Sequence, residues 1–275
     1  MKEKGISRLT EILLLLLLPY LATMLINGAE CALLNCDFSG ERILPWLVSS
    51  QISTKFDPEA VKCQAVIART NFYRNWKEKE DFWEVLRDIR EITEFTKYED
   101  FFIEDIYKNA AKETRGVVLL YGEEWKQLPY HLCSNGQTRS GAEVFHDQAY
   151  QYLQSVNSEI DKQAEYYLSH TYIKEQQLLE KIEILERDSS GYVMSLKVNG
   201  SIWEGETFRQ EMGLPSPDFY VKQTGNTYYF ICKGSGHGVG FSQYGGHMFG
   251  KQGKDWKEIL QIYFPAMEMK KVSGI

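Results

Sequence analysis

Positive charge is in short supply. The 275 residues hold 31 Lys and Arg against 38 Asp and Glu, a formal charge of −7. Lys2, Lys4 and Arg8 outnumber Glu3 and Glu11 in residues 1–27, so the remainder is more acidic still. Affinity for nucleic acid is dominated by phosphate neutralisation, and an acidic body excludes that class of partner. Cysteine is also sparse. The five, Cys31, Cys36, Cys63, Cys133 and Cys232, are an odd number, which argues against a full disulfide framework. Cys31 and Cys36 are near enough in sequence to pair, although nothing in the sequence decides it. Cys63 and Cys232 read as small buried hydrophobes. Repeats and low-complexity linkers are missing apart from one leucine run, leaving one large domain or two small ones. What remains is ordinary globular usage, 43% hydrophobic and 25% charged, which argues against a mostly disordered chain.

The leucine run is the one long apolar stretch. Ile12–Ile26 reads ILLLLLLPYLATMLI without a charge. A helix needs about 20 residues to cross the hydrocarbon core, and Leu9 and Thr10 can extend this one. Three basic residues precede it, which keeps the N-terminus cytoplasmic and sends the body outward. A cleaved signal peptide also fits a charged start and a short apolar run. Glu30 before Cys31 argues against a lipoprotein signal. Either way the body is exported, and the expectation is a single-pass protein of the cell membrane with an extracytoplasmic body. The boundaries follow: 1–27 cytoplasmic tip and anchor, 28–42 juxtamembrane segment, 43–268 folded domain, 269–275 tail.

Within the body, Ile43–Ile52 predicts a helix after Pro45 that delivers Gln51 to the approach of a longer one. That longer helix starts at Asp57-Pro58, an N-cap followed by a residue suited to the first turn, with Glu59 at the positive end. Val61, Ala65, Ala68 and Phe72 form its apolar stripe, with Lys62, Arg69 and Tyr73 on a neighbouring one. Residues 76–115 are highly charged and predict one or two solvated helices. Gly116–Tyr121 and Gln127–Cys133 predict a hairpin around Gly122-Glu123-Glu124. Thr171–Leu185 predicts a helix running into a strand. Asn199-Gly200 and Gly225-Asn226 mark further hairpins, 205–212 a short helix ended by Gly213, and 242–250 and 255–263 the last helices. Helices and β-hairpins interleave without a βαβ rhythm, so the class is α+β.

Two segments carry candidate chemistry. In Gly234-Ser235-Gly236-His237-Gly238-Val239-Gly240 four glycines in seven positions allow close approach of a ligand to backbone, around a histidine at a strand-to-helix junction. A hydrogen-bonded structural histidine in a glycine turn explains the same pattern. No Lys-Ser/Thr follows, which excludes a phosphate loop. The second segment, Tyr130 to Thr138, places His131 and Cys133 in alternation along a strand, with His146 downstream. His131, Cys133 and His146 could supply three zinc ligands, but the spacing is no standard zinc pattern and no cofactor is assigned. Cys133 as a nucleophile lacks any local signature.

With these residues laid out, the chain resembles the SpoIID/LytB family of sporulation and cell-wall proteins across about residues 40–268. The blocks are PEAVKCQAVIARTNFY at 58–73, YHLCSNGQT at 130–138, YLQSV at 152–156, GETFRQEMGL at 205–214 and GHGVGFSQYGG at 236–246, then WKEILQIYFP at 256–265. The resemblance implies a SpoIID-like exported domain behind one N-terminal transmembrane helix. It also implies a lytic transglycosylase that cuts peptidoglycan glycan strands during sporulation or wall remodelling. One glutamate there serves as acid and then base. The family places it in a Val-x-Ser-Glu-Met-Pro-like segment, and here that segment is Leu47-Val48-Ser49-Ser50-Gln51-Ile52-Ser53. The catalytic position is therefore Gln51, whose amide is neither acid nor base at neutral pH. Asp57 and Glu59 are the nearest substitutes, although capping explains both. Lys62, Arg69, His131, Thr138, His237, Gln243 and Tyr244 are the implied substrate-binding residues. The implied partners are glycan strands and a wall amidase, and the alternative role is a noncatalytic glycan-binding scaffold or amidase enhancer.

Overall fold

The computed structural model describes residues 17–18, 40–79, 103–174, 181–225 and 227–272. Its organising element is a long helix whose start is set by local chemistry. Before it, α1 (Leu44–Gln51) carries Pro45 in its first turn. Then Asp57 Oδ1 accepts from the Glu59 amide at 2.9 Å, the capping bond expected of Asp before Pro, worth about 1 kcal/mol. From there α2 (Pro58–Lys79) runs through the core. The expected stripe of Val61, Ala65, Ala68 and Phe72 is buried. The neighbouring stripe is not a polar face, however, because Arg69 and Tyr73 are buried too. A helix covered on nearly every side is the centre of a domain rather than its surface.

Its neighbours follow in order. α3 (Asp105–Glu113) falls within the charged stretch expected to be helical, and residues 80–102 of that stretch lie outside the described residues. β1 (Val117–Tyr121) turns through Gly122-Glu123, both at positive φ, into β2 (Glu124–Trp125). The hairpin was expected to pair β1 with residues 127–133. Its second strand is instead this short one, because a two-residue turn forces immediate pairing, Tyr121 opposite Glu124. β3 (Tyr130–His131) belongs elsewhere. α4 (Gly141–Val144) and two short 3-10 turns lead to β4 (Leu168–Lys174). The helix expected from Thr171 is thus a strand at its start. Exposed Leu168, His170 and Tyr172 alternate with half-buried Ser169, Thr171 and Ile173, the two-residue period of a strand and not of a helix stripe.

β5 (Ile182–Arg187), β6 (Val193–Val198) and β7 (Ser201–Glu204) form an antiparallel meander. Asn199 and Gly200 close its second turn at positive φ, as the sequence predicts. α5 (Gly205–Glu211) follows, and then β8 (Phe219–Thr224) and β9 (Thr227–Lys233) join β4 in a second antiparallel sheet ordered β4-β9-β8. Val193, Leu196, Phe208, Phe219 and Phe230 fill the core between the two sheets and α5. The larger core surrounds α2.

β10 (Phe241–Ser242) lies parallel to β3 and leads into α6 (Gln243–Lys251). α7 (Trp256–Tyr263) opens with a reciprocal capping box between Asp255 and Glu258. β11 (Glu268–Lys271) then pairs antiparallel with β1, so residues 269–271 of the expected tail belong to a strand of the domain. Mixed, interleaved helices and antiparallel sheets make the class α+β, as expected. Residues 40–275 form one compact unit and 1–39 another. Of the latter only Leu17 and Leu18 are described, both helical. The expected anchor at 12–26 and Cys31 and Cys36 otherwise lie outside the described residues. Among the described residues no helix is long and apolar enough to cross a membrane.

Candidate functional site

Gln51 is the last residue of α1, and the strand-like backbone of Ile52 turns the chain away from it. Ser49 and Ser50 return their hydroxyls to the carbonyls of Trp46 and Leu47 at 2.8 Å, so neither projects as a donor toward a ligand. The Gln51 side chain reaches α2 instead: its Oε1 accepts from Gln64 Nε2 at 2.8 Å. From the opposite side, Gln243 Nε2 donates to the Gln51 carbonyl at 2.7 Å and to Gln64 Oε1 at 3.2 Å. Gln64 and Gln243 are buried and Gln51 is half-buried. Three glutamines from α1, α2 and α6 are thereby tied into one amide cluster. The sequence placed Gln51 and Gln243 in the site, and the fold brings them into contact. It did not single out Gln64, which lies inside the Ala-Gln helix motif.

Neither proposed substitute carboxylate is available to this cluster. Asp57 caps α2. Glu59 accepts from Lys62 Nζ at 2.7 Å and from the Trp256 amide at 2.9 Å, pinning α7 to α2.

β10 connects the amide cluster to the histidines. Ser242 lies opposite His131, and the next residue is Gln243. His131 Nδ1 stands 3.1 Å from the Val239 carbonyl. A carbonyl only accepts, so Nδ1 carries the proton and Nε2 is left as an acceptor. Nε2 is buried and has no hydrogen-bond partner. Burial, reinforced by the nearby His237, lowers the His131 pKa to about 3. His131 is therefore a neutral imidazole with an unused lone pair. The His237 ring lies 5.8 Å away, centroid to centroid. Its Nδ1 accepts from the Val239 amide at 3.1 Å, and its pKa is also lowered, chiefly by burial. Gly240 lets the chain pass here: its φ is +74°, and a Cβ would collide with the Pro129 carbonyl oxygen.

Tyr244 follows at the start of α6, half-buried, its ring edge-on to Tyr166 at 5.8 Å. Next to His237, Pro129, Arg139, Phe145, Met194 and Glu204 help to line a pocket of about 240 Å³.

Other expected site residues go elsewhere. Arg69 is 1% exposed, and its guanidinium donates to both Glu41 oxygens, to Thr114 Oγ1 and to the carbonyls of Val117 and Ala111. A sugar cannot reach it without dismantling the core, so its assignment to substrate binding is corrected to a structural one. Lys62 is held between Glu59 and Glu113 at 2.7 and 2.6 Å. Thr138 is buried and accepts from the Val156 amide at 2.9 Å, so it shapes the loop behind the histidines rather than a ligand surface.

Two buried carboxylates escaped the sequence reading. Asp161 accepts from the Ser134 amide and hydroxyl and from the Ser242 hydroxyl, joining the segment after β3 to β10. Burial raises its pKa. Asp188 forms an enclosed ion pair with Arg139, which also donates to the His237 carbonyl at 3.3 Å. Both sit in polar stretches that resemble surface turns, and only the long-range contacts reveal their role. Cys63, Cys133 and Cys232 are free and buried, as small apolar residues would be. Burial pushes the Cys133 thiol far up, which removes it as a nucleophile at neutral pH. Among the described residues no three His, Cys, Asp or Glu side chains converge as a metal site would require.

This arrangement can bind and orient but supplies no proton donor at Gln51. A sequence profile described as SpoIID, Stage II sporulation protein, matches residues 37–121, the stretch that holds α1, α2 and Gln51. The chain is similar to Stage II sporulation protein D of Bacillus amyloliquefaciens and to that of Bacillus subtilis (strain 168). Each is 28% identical over 254 residues, covering 83% of this chain and 73% of the relative. It is also similar to an uncharacterised protein of Brachyspira hyodysenteriae (strain ATCC 49526 / WA1), 26% identical over 276 residues, 93% of this chain and 71% of that one. With the matched segment holding α1 and α2, and the similarity running over most of the chain, the protein is similar to the SpoIID sporulation proteins.

Proposed function

We propose that this protein, similar to the SpoIID sporulation proteins, binds peptidoglycan glycan strands outside the cytoplasmic membrane, at the surface framed by Gln51, His131, His237, Gln243 and Tyr244. In this reading it is a lytic-transglycosylase homologue whose acid/base position holds an amide, and it serves wall remodelling as a glycan-binding scaffold or amidase enhancer. The observation that carries it is the glutamine cluster. Gln51 stands where the family resemblance puts the catalytic glutamate, and its hydrogen bonds run to two further amides rather than to any carboxylate. General acid–base catalysis contributes about 10²–10⁴-fold, so strand cleavage falls by at least that much. The unused Nε2 of His131 supports a ligand-binding role, because a sugar hydroxyl donating to it would satisfy a buried acceptor.

In the same proposal the apolar run at 12–26 anchors the body to the membrane, and a wall amidase supplies strands stripped of peptide. The test is product analysis of the full chain incubated with peptide-free glycan strands, alongside Gln51→Glu. A carboxylate at residue 51 would still accept from Gln64 Nε2, so the cluster survives the change. Anhydro-muramic ends from Gln51→Glu but not from the parent are expected. Equal product from both would overturn the reading, and so would failure of both to bind strands.

A further inference from the structure

The sheet β4-β9-β8 buries one face in the smaller core and leaves the other uncovered among the described residues. Strand alternation sorts the side chains: Tyr228, Phe230 and Cys232 of β9 point inward, while Tyr229, Ile231 and Lys233 point out. Residues directly opposite share a face. Leu168 lies opposite Lys233, His170 opposite Ile231 and Tyr172 opposite Tyr229. On the far side Tyr220 lies opposite Ile231 and Lys222 opposite Tyr229.

The outer face is thus a field of three tyrosines, a leucine, an isoleucine, a histidine and two lysines. Tyr172 is 69% exposed, and Tyr220 and Leu168 are each 52% exposed. Aromatic side chains of this size are costly to leave in water without use. Their mutual arrangement is organised: the Tyr172 and Tyr229 rings are 4.9 Å apart, and Tyr229 bonds the stacked His170 ring through its hydroxyl.

Charge is the second observation. The protein is acidic overall, yet Leu168, His170, Tyr172, Tyr220, Lys222, Tyr229, Ile231 and Lys233 include no carboxylate. Lys222 and Lys233 make no ion pair among the described residues. The Lys233 ammonium and the Arg187 guanidinium both lie 4.9 Å from the centroid of the Tyr220 ring. Arg187 is also bonded to Asp218 and to backbone carbonyls, which fixes it in place.

The third observation is continuity. Tyr244, beside Gln243 in the candidate site, touches Tyr166, which is exposed and lies two residues before β4. From Tyr166 the outward residues Leu168, His170 and Tyr172 lead along the seven residues of β4, roughly 20 Å at the usual strand rise.

We infer that this outer face is a second binding surface, for the flanking sugars of a linear, carboxylate-bearing polysaccharide whose other part lies in the Gln51 site. The ligand class rests on the glycan reading above. Tyrosine faces pack against the C–H faces of pyranose rings, and their hydroxyls bond sugar hydroxyls. Lys222 and Lys233 meet the acid groups that distinguish muramoyl strands from neutral polymers of the same backbone. A polymer site needs such a track, because a single bond-centred pocket cannot hold a strand in register.

The test measures retention of the full chain on peptide-free glycan strands and on chitin, its neutral counterpart. Tyr172→Ala with Tyr229→Ala should weaken retention on both polymers by about fivefold, the loss expected for one good aromatic contact. The corresponding Phe pair should keep most of it. Lys222→Gln with Lys233→Gln should weaken only strand retention, along with its salt dependence. Lys222→Glu, an exposed substitution on the edge strand β8, should do the same alone. Unchanged retention in the Ala pair overturns the proposal, and so does an unchanged strand-over-chitin preference in the lysine variants. The Gln51→Glu product assay separates the two readings. Product with idle platform residues removes only this inference, whereas platform-dependent retention without product removes only the reading of the Gln51 site.

Discussion

Arg69 and His131 are almost equally inaccessible, 1% and 4% exposed, and both are polar side chains that a hydrophobic core should reject. Around Arg69 the guanidinium donates to a bidentate carboxylate, a hydroxyl and two carbonyls. Around His131 one ring nitrogen is satisfied and the other is not. Burying a polar group is affordable when its bonds are completed and costly when they are not. A saturated group therefore holds the fold, whereas the unpartnered His131 Nε2 carries the ligand role proposed above. The same contrast separates Glu59, with both oxygens committed, from Gln51, whose Nε2 makes no hydrogen bond among the described residues.

The contrast breaks most visibly at its saturated end. Arg69→Met should take both guanidinium bonds from the Glu41 carboxylate, which keeps the Gly116 amide, and should remove the donor from three further acceptors, costing about 3–5 kcal/mol of stability. The urea midpoint should fall with an unchanged slope, while glycan retention per folded molecule stays at the parent level. A selective loss of retention at full stability would return Arg69 to the binding site.

A smaller effect sharpens the role of the loop that carries His237. Gly240→Ala meets both a positive φ and the Pro129 carbonyl. Gly200→Ala meets a positive φ alone, with open space around it. The hairpin variant should lose roughly 1–2 kcal/mol, the ordinary cost of a left-handed residue. The loop variant should lose more than that, and should also move Val239, whose carbonyl and amide hold the two histidines. Thermal unfolding of the pair measures the difference, and equal losses would mean the loop yields freely.

These positions also show what could be read from sequence. Asp57-Pro58 and Asn199-Gly200 were legible because a cap and a type I′ turn are decided by adjacent residues. The burial of Cys63 and Cys232 was legible from their apolar neighbours. The parallel β3–β10 pair and the strand at Thr171 were not, because their partners lie far away in the chain. For the candidate site, Gln51 and Gln243 were singled out through motif resemblance. Arg69 was misjudged because a charged residue on a helix reads as surface until its partners Glu41 and Thr114 are known. Asp161 and Arg139 carried no local signal at all.

The deficient end of the comparison has its own signature in pH. The His131 pKa is lowered in the folded protein to about 3, against about 6.5 unfolded. Above pH 6.5 the imidazole is neutral in both states and contributes nothing. As the pH falls below that, the unfolded chain takes up a proton that the folded one refuses, so stability drops until the folded pKa is reached. Between pH 6.5 and 5 the loss from His131 is about 2 kcal/mol. His237, lowered for the same reason, acts in the same direction, while Asp161 and Asp218, raised by burial, act against it. His131→Gln removes one contribution and leaves the others, so the difference between its urea-derived profile and the parent's isolates the residue. The parent should lose stability more steeply than the variant below pH 6.5. Strand binding should raise stability without lessening that slope, because a sugar hydroxyl on Nε2 needs the imidazole neutral and so disfavours its protonation in the folded state still further. Superimposable profiles would mean that His131 protonates as readily folded as unfolded, and its empty lone pair would then be accessible to water rather than reserved for a ligand.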